Sequence, residues 1–139
     1  MMQGDKPIKK FNWPIRVYYE DTDAGGVVFH SNYLNFFERA RTEMLRAFGH
    51  EQDALKAEYG MVFVVRSLQV DYLKPARFND MLFVSASITE AKKASLVFEQ
   101  EITRGNTVLC QGIFRIACLD ASAMTPKAIP QHLFKTIEE

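Results

Sequence analysis

The sequence predicts an α+β fold in which a curved antiparallel sheet of five strands wraps around one long central helix. Two observations lead there. One long segment, from Ser31 or Asn32 to about Phe48, carries its apolar residues at helical spacing, whereas four later runs are β-branched or aromatic without it. Short turn-forming separators join those four runs in series, which favours antiparallel pairing over the long crossovers that parallel strands need.

The elements follow in order. Met1 to Lys10 holds three lysines but no apolar stretch of the kind that makes a secretory leader, and residues 1–12 are expected to form a flexible segment of one domain spanning 1–139. Trp13 to Tyr19 reads as a strand, with Ile15, Val17 and Tyr19 alternating with Arg16 and Tyr18, so that one of the two tyrosines should face the core. An acidic, glycine-paired loop, Glu20 to His30, then feeds the helix, which Ser31 or Asn32 can cap and Gly49 can stop. On that helix Tyr33, Phe36, Phe37, Ala40, Met44, Leu45 and Phe48 make one broad apolar face, and Glu38, Arg39, Arg41, Glu43 and Arg46 are expected to cover the rest. A face this aromatic requires a large apolar partner such as a sheet.

Glu51 to Glu58 reads as a short second helix ended by Tyr59-Gly60. The four strands are Val62–Leu73, Met81–Ala91, Ser95–Thr103 and Val108–Leu119. Their separators, Lys74 to Asp80, Lys92-Lys93 and Arg104-Gly105-Asn106, have turn chemistry, the last of them a hairpin signal. Pro126 and Pro130 end the last strand, and Gln131 to Ile137 suggests a terminal helical turn. Strands of about twelve residues exceed the usual five or six, as a sheet curved around a helix requires. This is a hot-dog arrangement. A single small layer leaves a sheet face or edge uncovered, so a dimer is expected.

Composition narrows the function classes. Hydrophobic residues make up 47% and charged residues 24% of 139 residues, inside the globular range. Seventeen basic and seventeen acidic residues cancel, which leaves no electrostatic footprint for duplex nucleic acid. No apolar stretch approaches the roughly 20 residues of a membrane helix, and a soluble, cytoplasmic protein is expected. Cys110 and Cys118 lie eight apart in one apolar run. On one strand they would sit roughly 26 Å apart, too far for a disulfide, so buried free thiols suited to a reducing compartment are expected.

The chemistry-bearing residues gather in the Glu20–His30 loop. Asp23 and His30 are proton-transfer groups, Gly25-Gly26 lets a backbone approach a ligand closely, and the opening amides of the following helix carry partial positive charge without internal partners. Carboxylate, imidazole and free amides in one place suit attack on a carbonyl. Asp21 and Asp23 are close like charges, and burying one would fit it to accept a proton. Tyr19, four residues before Asp23, is expected to hydrogen-bond it. A Gly-x-Ser-x-Gly elbow, a Cys–His arrangement and a phosphate-cradling Gly-Lys-Ser/Thr loop are all absent from the sequence. Asp21, Asp23 and His30 would make a weak ligand set, and no metal is expected.

The stretch from Val17-Tyr18-Tyr19-Glu20-Asp21-Thr22-Asp23-Ala24-Gly25-Gly26 through Val27-Val28-Phe29-His30, Asn32-Tyr33 and Phe37-Glu38-Arg39-Ala40-Arg41 resembles the bacterial acyl-CoA thioesterases associated with the Tol–Pal cluster, in the 4-hydroxybenzoyl-CoA thioesterase-like hot-dog family. The likeness extends from about Trp13 to Pro130 and takes in Phe63-Val64-Val65-Arg66 and Tyr72-Leu73-Lys74-Pro75-Ala76-Arg77. It implies dimers, often doubled to tetramers, that hydrolyse acyl-CoA thioesters of short-chain or aroyl acids without metal or cofactor, coenzyme A being part of the substrate. By the same likeness Asp23 matches the catalytic carboxylate, as nucleophile or general base. Tyr19 and His30 match residues held near it, and the His30 amide matches the donor that polarises the carbonyl. Phe29 stands where tyrosine is frequent.

Gly26, Phe29, Tyr33, Val64 and Arg66 are the expected substrate-binding residues. Lys74, Arg77 and Ser95 are expected, from position and charge, to meet the coenzyme A nucleotide. Two other readings stay open: a hot-dog module that binds acyl carrier protein or an envelope partner with weak hydrolysis, and a hot-dog dehydratase.

Overall fold

The structure, a computed structural model, describes residues 9–138. It contains β1 (Lys9–Arg16), α1 (Asn32–Ala47), α2 (Gln52–Tyr59), β2 (Met61–Tyr72), β3 (Met81–Lys92), β4 (Ser95–Arg104), β5 (Thr107–Asp120) and α3 (Gln131–Glu138). The five strands form one antiparallel sheet in the order β1-β3-β4-β5-β2, so β1 and β2 are its edges. Register shifts at Val65/Ser67, Ile88/Glu90 and Ile102/Thr103 insert extra residues, which bend a strand and increase its twist. The predicted α+β architecture and its long helix are present, with strand limits within one or two residues of expectation from β2 to β5.

Burial explains the wrap. Phe36, Phe37, Ala40 and Met44 are completely buried on α1. They meet Leu82, Val84 and Ile88 of β3, Ile102 of β4, and Leu109 and Phe114 of β5 in one core cluster. Along β3, Leu82, Val84, Ala86 and Ile88 point inward at every second position, the signature of a sheet with one covered face. Both cysteines lie on β5, buried and free, and burial pushes the Cys110 thiol up to about 12.

Three local expectations need correction. Residues 9–12, assigned to a flexible segment, belong to β1 and pair with β3 from Lys9↔Ile88 onward; residues 1–8 lie outside the described residues. Arg41, assigned to the solvent-facing cover of α1, is 8% exposed. It shares a four-residue row with Phe37 and Leu45, so it points the same way and sets its guanidinium 4.5 Å from the Phe114 ring centroid. The strand thought to reach Tyr19 ends at Arg16, and Tyr18 and Tyr19 are both exposed, at 59% and 75%.

Gly112 shows how tightly the sheet closes on this row. A Cβ there would stand 2.5 Å from Phe114 Cε2, and that ring is held between Phe37 and Arg41. Gly112→Ala is expected to overpack the site and cost about 1–3 kcal/mol, read as a lower denaturant midpoint at unchanged slope.

At the far end of the molecule α3 docks through buried Leu133 and Ile137. Beside them His50 Nε2 lies 3.2 Å from Thr136 Oγ1, and the His50 and His132 rings meet at 5.2 Å. Burial, and then the neighbouring His132, lower the affinity of His50 for a proton below the usual 6.5. A depressed histidine contributes stability that is complete above the unfolded value and is lost as pH falls below it. Melting temperature is therefore expected to drop as pH falls from about 7 to about 5, and less steeply in His50→Gln.

Candidate active site

The Glu20–His30 loop is built on a buried carboxylate. After β1 the backbone is pinned to the segment before β3 by Val17 N–H to Asp80 O and Asn79 N–H to Val17 O, both 2.9 Å. A short 3-10 turn, Tyr19–Asp21, then redirects the chain and swings the Asp21 side chain inward. Asp21 Oδ2 accepts the Tyr18 N–H and its Oδ1 accepts the Asn32 side-chain amide, each at 2.8 Å. Its carbonyl accepts the Phe29 N–H at 3.0 Å. One residue thus ties the loop entrance to the first residue of α1. Asp21→Ala is expected to cost about 1–3 kcal/mol, because a part-buried N–H and a part-buried amide lose their charged acceptor.

Asp23 sits on the turn that Asp21 anchors. Thr22 and Val28 form a bridge, Asp23 N–H donates to Val27 O at 2.9 Å, and Gly26 N–H returns to Asp23 O at 3.0 Å. Gly26 has φ of +81°, a value that disfavours any side chain there. Asp23 Oδ1 accepts the Gly25 N–H at 2.8 Å, which orients the carboxylate while leaving it exposed. Of the two acids, then, Asp21 is the buried one and Asp23 faces solvent.

His30 closes the loop at the mouth of α1. Its ring is exposed and tilted on Phe29 at 4.5 Å, and its carbonyl accepts the Tyr72 hydroxyl at 2.8 Å. Its N–H donates to no acceptor among the described residues. Ser31 occupies the N-cap position, but its side chain makes no capping bond, and the first turn of α1 holds no acidic residue. The opening amides of α1 therefore have neither a side-chain cap nor an acid within their own turn.

The other expected site residues divide into those near this turn and those far from it. Phe29 is 46% exposed beside His30, and Gly26 is at the turn. Val27 and Arg77 form a bridge, and Val28 N–H donates to Ala76 O, so the segment carrying Lys74 and Arg77 lies against the loop. Tyr19 does not reach Asp23. The 3-10 turn sends its ring outward to stack on Phe78, with centroids 3.9 Å apart. Tyr33 is 4% exposed, and its hydroxyl accepts the Ala76 N–H at 2.9 Å, so burial raises its pKa and its place is in the core.

Val64 lies eight positions before Tyr72 on β2, roughly 25 Å along the strand, and Arg66 is only two positions nearer. Ser95 follows the far end of β3, roughly 35 Å from the end near Arg77. A single chain does not bring these three to Asp23. Asn32, Tyr72 and Phe78 take part in the local architecture, through contacts with Asp21, His30 and Tyr19 that no sequence signal announced. Their partners come from separate segments of the chain.

Among the described residues no cluster of three or more His, Cys, Asp or Glu side chains is placed to hold a metal, and no helix is long and apolar enough to cross a membrane.

Comparison with known proteins adds four findings. The thioesterase superfamily profile matches residues 25–111. The acyl-CoA thioester hydrolase YbgC of Escherichia coli is 50% identical over 124 residues, covering 88% of this chain and 92% of that protein. The acyl-CoA thioesterase YbgC of Haemophilus influenzae is 46% identical over 123 residues, covering 88% and 90%. Among solved structures, a probable thioesterase from Bartonella henselae superposes with a TM-score of 0.84 at 32% identity, covering 88% of this chain and 100% of that one.

Proposed function

Because this chain belongs to the thioesterase superfamily, and is thus a thioester hydrolase, we propose that it cleaves acyl-CoA to free coenzyme A and a carboxylic acid at the Asp23 turn. The observation that carries the reading is a pairing at the start of α1. An exposed, oriented Asp23 carboxylate stands on the same short loop as the His30 N–H, which has no acceptor among the described residues.

The chemistry follows from those two groups. The thioester carbonyl oxygen takes the His30 N–H, so that charge developing on it meets a fixed donor and the positive end of α1. Asp23 either attacks the carbonyl carbon, giving an anhydride that water then opens, or takes a proton from a water that attacks directly. In both routes the carbon–sulfur bond breaks and the sulfur leaves as thiolate; the water oxygen ends in the acid when water attacks the acyl carbon and in the Asp23 carboxylate when water opens the anhydride there. All steps use side chains and a backbone amide, with no cofactor. Short-chain and aroyl thioesters are the substrates proposed.

Lys74 and Arg77 would meet the coenzyme A phosphates; the position of their segment against the loop supports this part of the reading. The distant residues join the site through a second copy of the chain. β2 is an edge strand with Val65, Leu68 and Tyr72 exposed at 44%, 47% and 48%. Two-fold antiparallel pairing of β2 edges centred near Leu68 would set Val64 of the partner subunit opposite Tyr72, which already touches His30. Such dimers, doubled to a tetramer, are part of the proposal.

A panel of acyl-CoA substrates with a free-thiol readout tests it. Turnover of about 1 s⁻¹ or faster is expected, in the ordinary enzyme range. Negligible turnover with saturable binding of acyl carrier protein would mark a binding module instead. Reversible hydration of an enoyl thioester without thiol release would mark a dehydratase.

A further inference from the structure

The same helix that opens at His30 buries a cation farther along. Arg41 Nη1 donates to Gln100 Oε1 at 2.8 Å, and Gln100 is itself fixed by donating to Phe37 O and Ser85 O, each at 3.1 Å. The guanidinium rests on Phe114 and forms no ion pair among the described residues. Burial lowers its pKa to about 10, so it stays charged at neutral pH. Nε and Nη2 have no protein acceptor among the described residues, yet no buried side-chain nitrogen is sealed off without a partner. Those N–H groups therefore open onto accessible space.

The space is a cavity of about 140 Å³ between α1, β2, β4 and β5, with Phe63, Val64, Leu96, Phe98 and Ile116 among its walls. Its polar lining besides Arg41 is Glu38, Thr42 and Gln52, and these are already engaged. Glu38 accepts the Thr42 hydroxyl, whose oxygen accepts the Gln52 amide at 3.0 Å. What remains is an apolar chamber with a forked cationic donor in its lining and an exposed acid, Glu38, at its rim, whose charge acts on Arg41 without forming an ion pair with it. A ligand with an apolar stem and an anionic end matches both halves, since the stem fills the walls and the end repays the desolvation of the guanidinium.

We propose that this cavity receives the far end of the acyl group and that Arg41 selects tails ending in a carboxylate, which makes ω-carboxyacyl-CoA a substrate class of this chain. The proposal rests on the acyl-CoA hydrolase reading. Val64 connects the two, since it lines the cavity and β2 pairing would bring it to the Asp23 turn of the partner.

The test measures kcat/KM by thiol release for matched pairs: succinyl-, adipoyl-, suberoyl- and dodecanedioyl-CoA against butyryl-, hexanoyl-, octanoyl- and dodecanoyl-CoA. At one or more chain lengths the carboxylate-ended member is expected to lead by about tenfold or more, the scale of a charge-assisted hydrogen bond. Arg41→Gln is expected to bring that ratio to about one, and Arg41→Lys to reduce it less. A wild-type preference for the methyl-ended member at every length overturns the inference and leaves the hydrolase reading intact. So does a ratio that Arg41→Gln leaves unchanged. Absence of thiol release from every member overturns the hydrolase reading, and this inference with it. The wild-type comparison decides the matter even where the variants fail to fold.

Discussion

Asp23→Asn is expected to slow thiol release from short-chain and aroyl-CoA by at least about 10²-fold, with circular dichroism and assembly unchanged. Two features make the substitution informative. Asparagine keeps the side-chain oxygen that accepts the Gly25 N–H at 2.8 Å, so the turn retains its geometry. It removes the negative charge, and with it both a nucleophile and a base. A loss of that size corresponds to about 2.7 kcal/mol of barrier. Single-turnover hydrolysis in ¹⁸O-labelled water then separates the two routes. Label entering the Asp23 carboxylate marks the nucleophile, with the anhydride opened at Asp23, whereas label appearing only in the released acid marks attack of water on the acyl carbon. A variant that hydrolyses at the wild-type rate would remove Asp23 from the chemistry.

Phe37→Ala is expected to destabilise the fold by about 3–5 kcal/mol. Phe37 is fully buried, meets Phe114 at a centroid distance of 5.1 Å, and offers its carbonyl to Gln100. Truncation would leave a void where α1 seats on the sheet, and neighbours fixed by hydrogen bonds would close it poorly. For a domain of this size the melting temperature should fall by roughly 10 °C or more. Activity of the variant should track its folded fraction, in contrast to Asp23→Asn, whose loss appears in a folded protein. Melting within a few degrees of wild type would show that the helix is held by something other than this aromatic row.

The sheet-wrapped helix was legible because its signals are local. Phe36, Phe37, Ala40 and Met44 repeat at the helical period, and Leu82, Val84, Ala86 and Ile88 alternate at the strand period, so each element declares its own covered face. The placement of Tyr19 failed where a local rule was carried one element too far. Alternation assigns facing only while the strand continues; the strand ends at Arg16 and the 3-10 turn begins at Tyr19. Arg41 was misplaced for a different reason: hydropathy ranks arginine as surface, and nothing along the chain announces that Gln100 and Phe114 will stand opposite to receive it.

The acids, the glycines and the helix start of the loop were legible along the chain. Which acid is buried depended on Asn32 and Tyr18 meeting at Asp21, contacts that propensity does not encode. Val64 and Ser95 lie far from Asp23 because strand order, β1-β3-β4-β5-β2, is a property of the assembled sheet.

A crystal structure of Asp23→Asn with an intact acyl-CoA tests the central claim most directly. The thioester carbonyl oxygen is expected within about 3 Å of the His30 backbone nitrogen, an ordinary hydrogen-bond distance, with the side chain at position 23 beside the carbonyl carbon. An acyl-CoA whose thioester lies away from the start of α1, with the His30 N–H directed elsewhere, would contradict it.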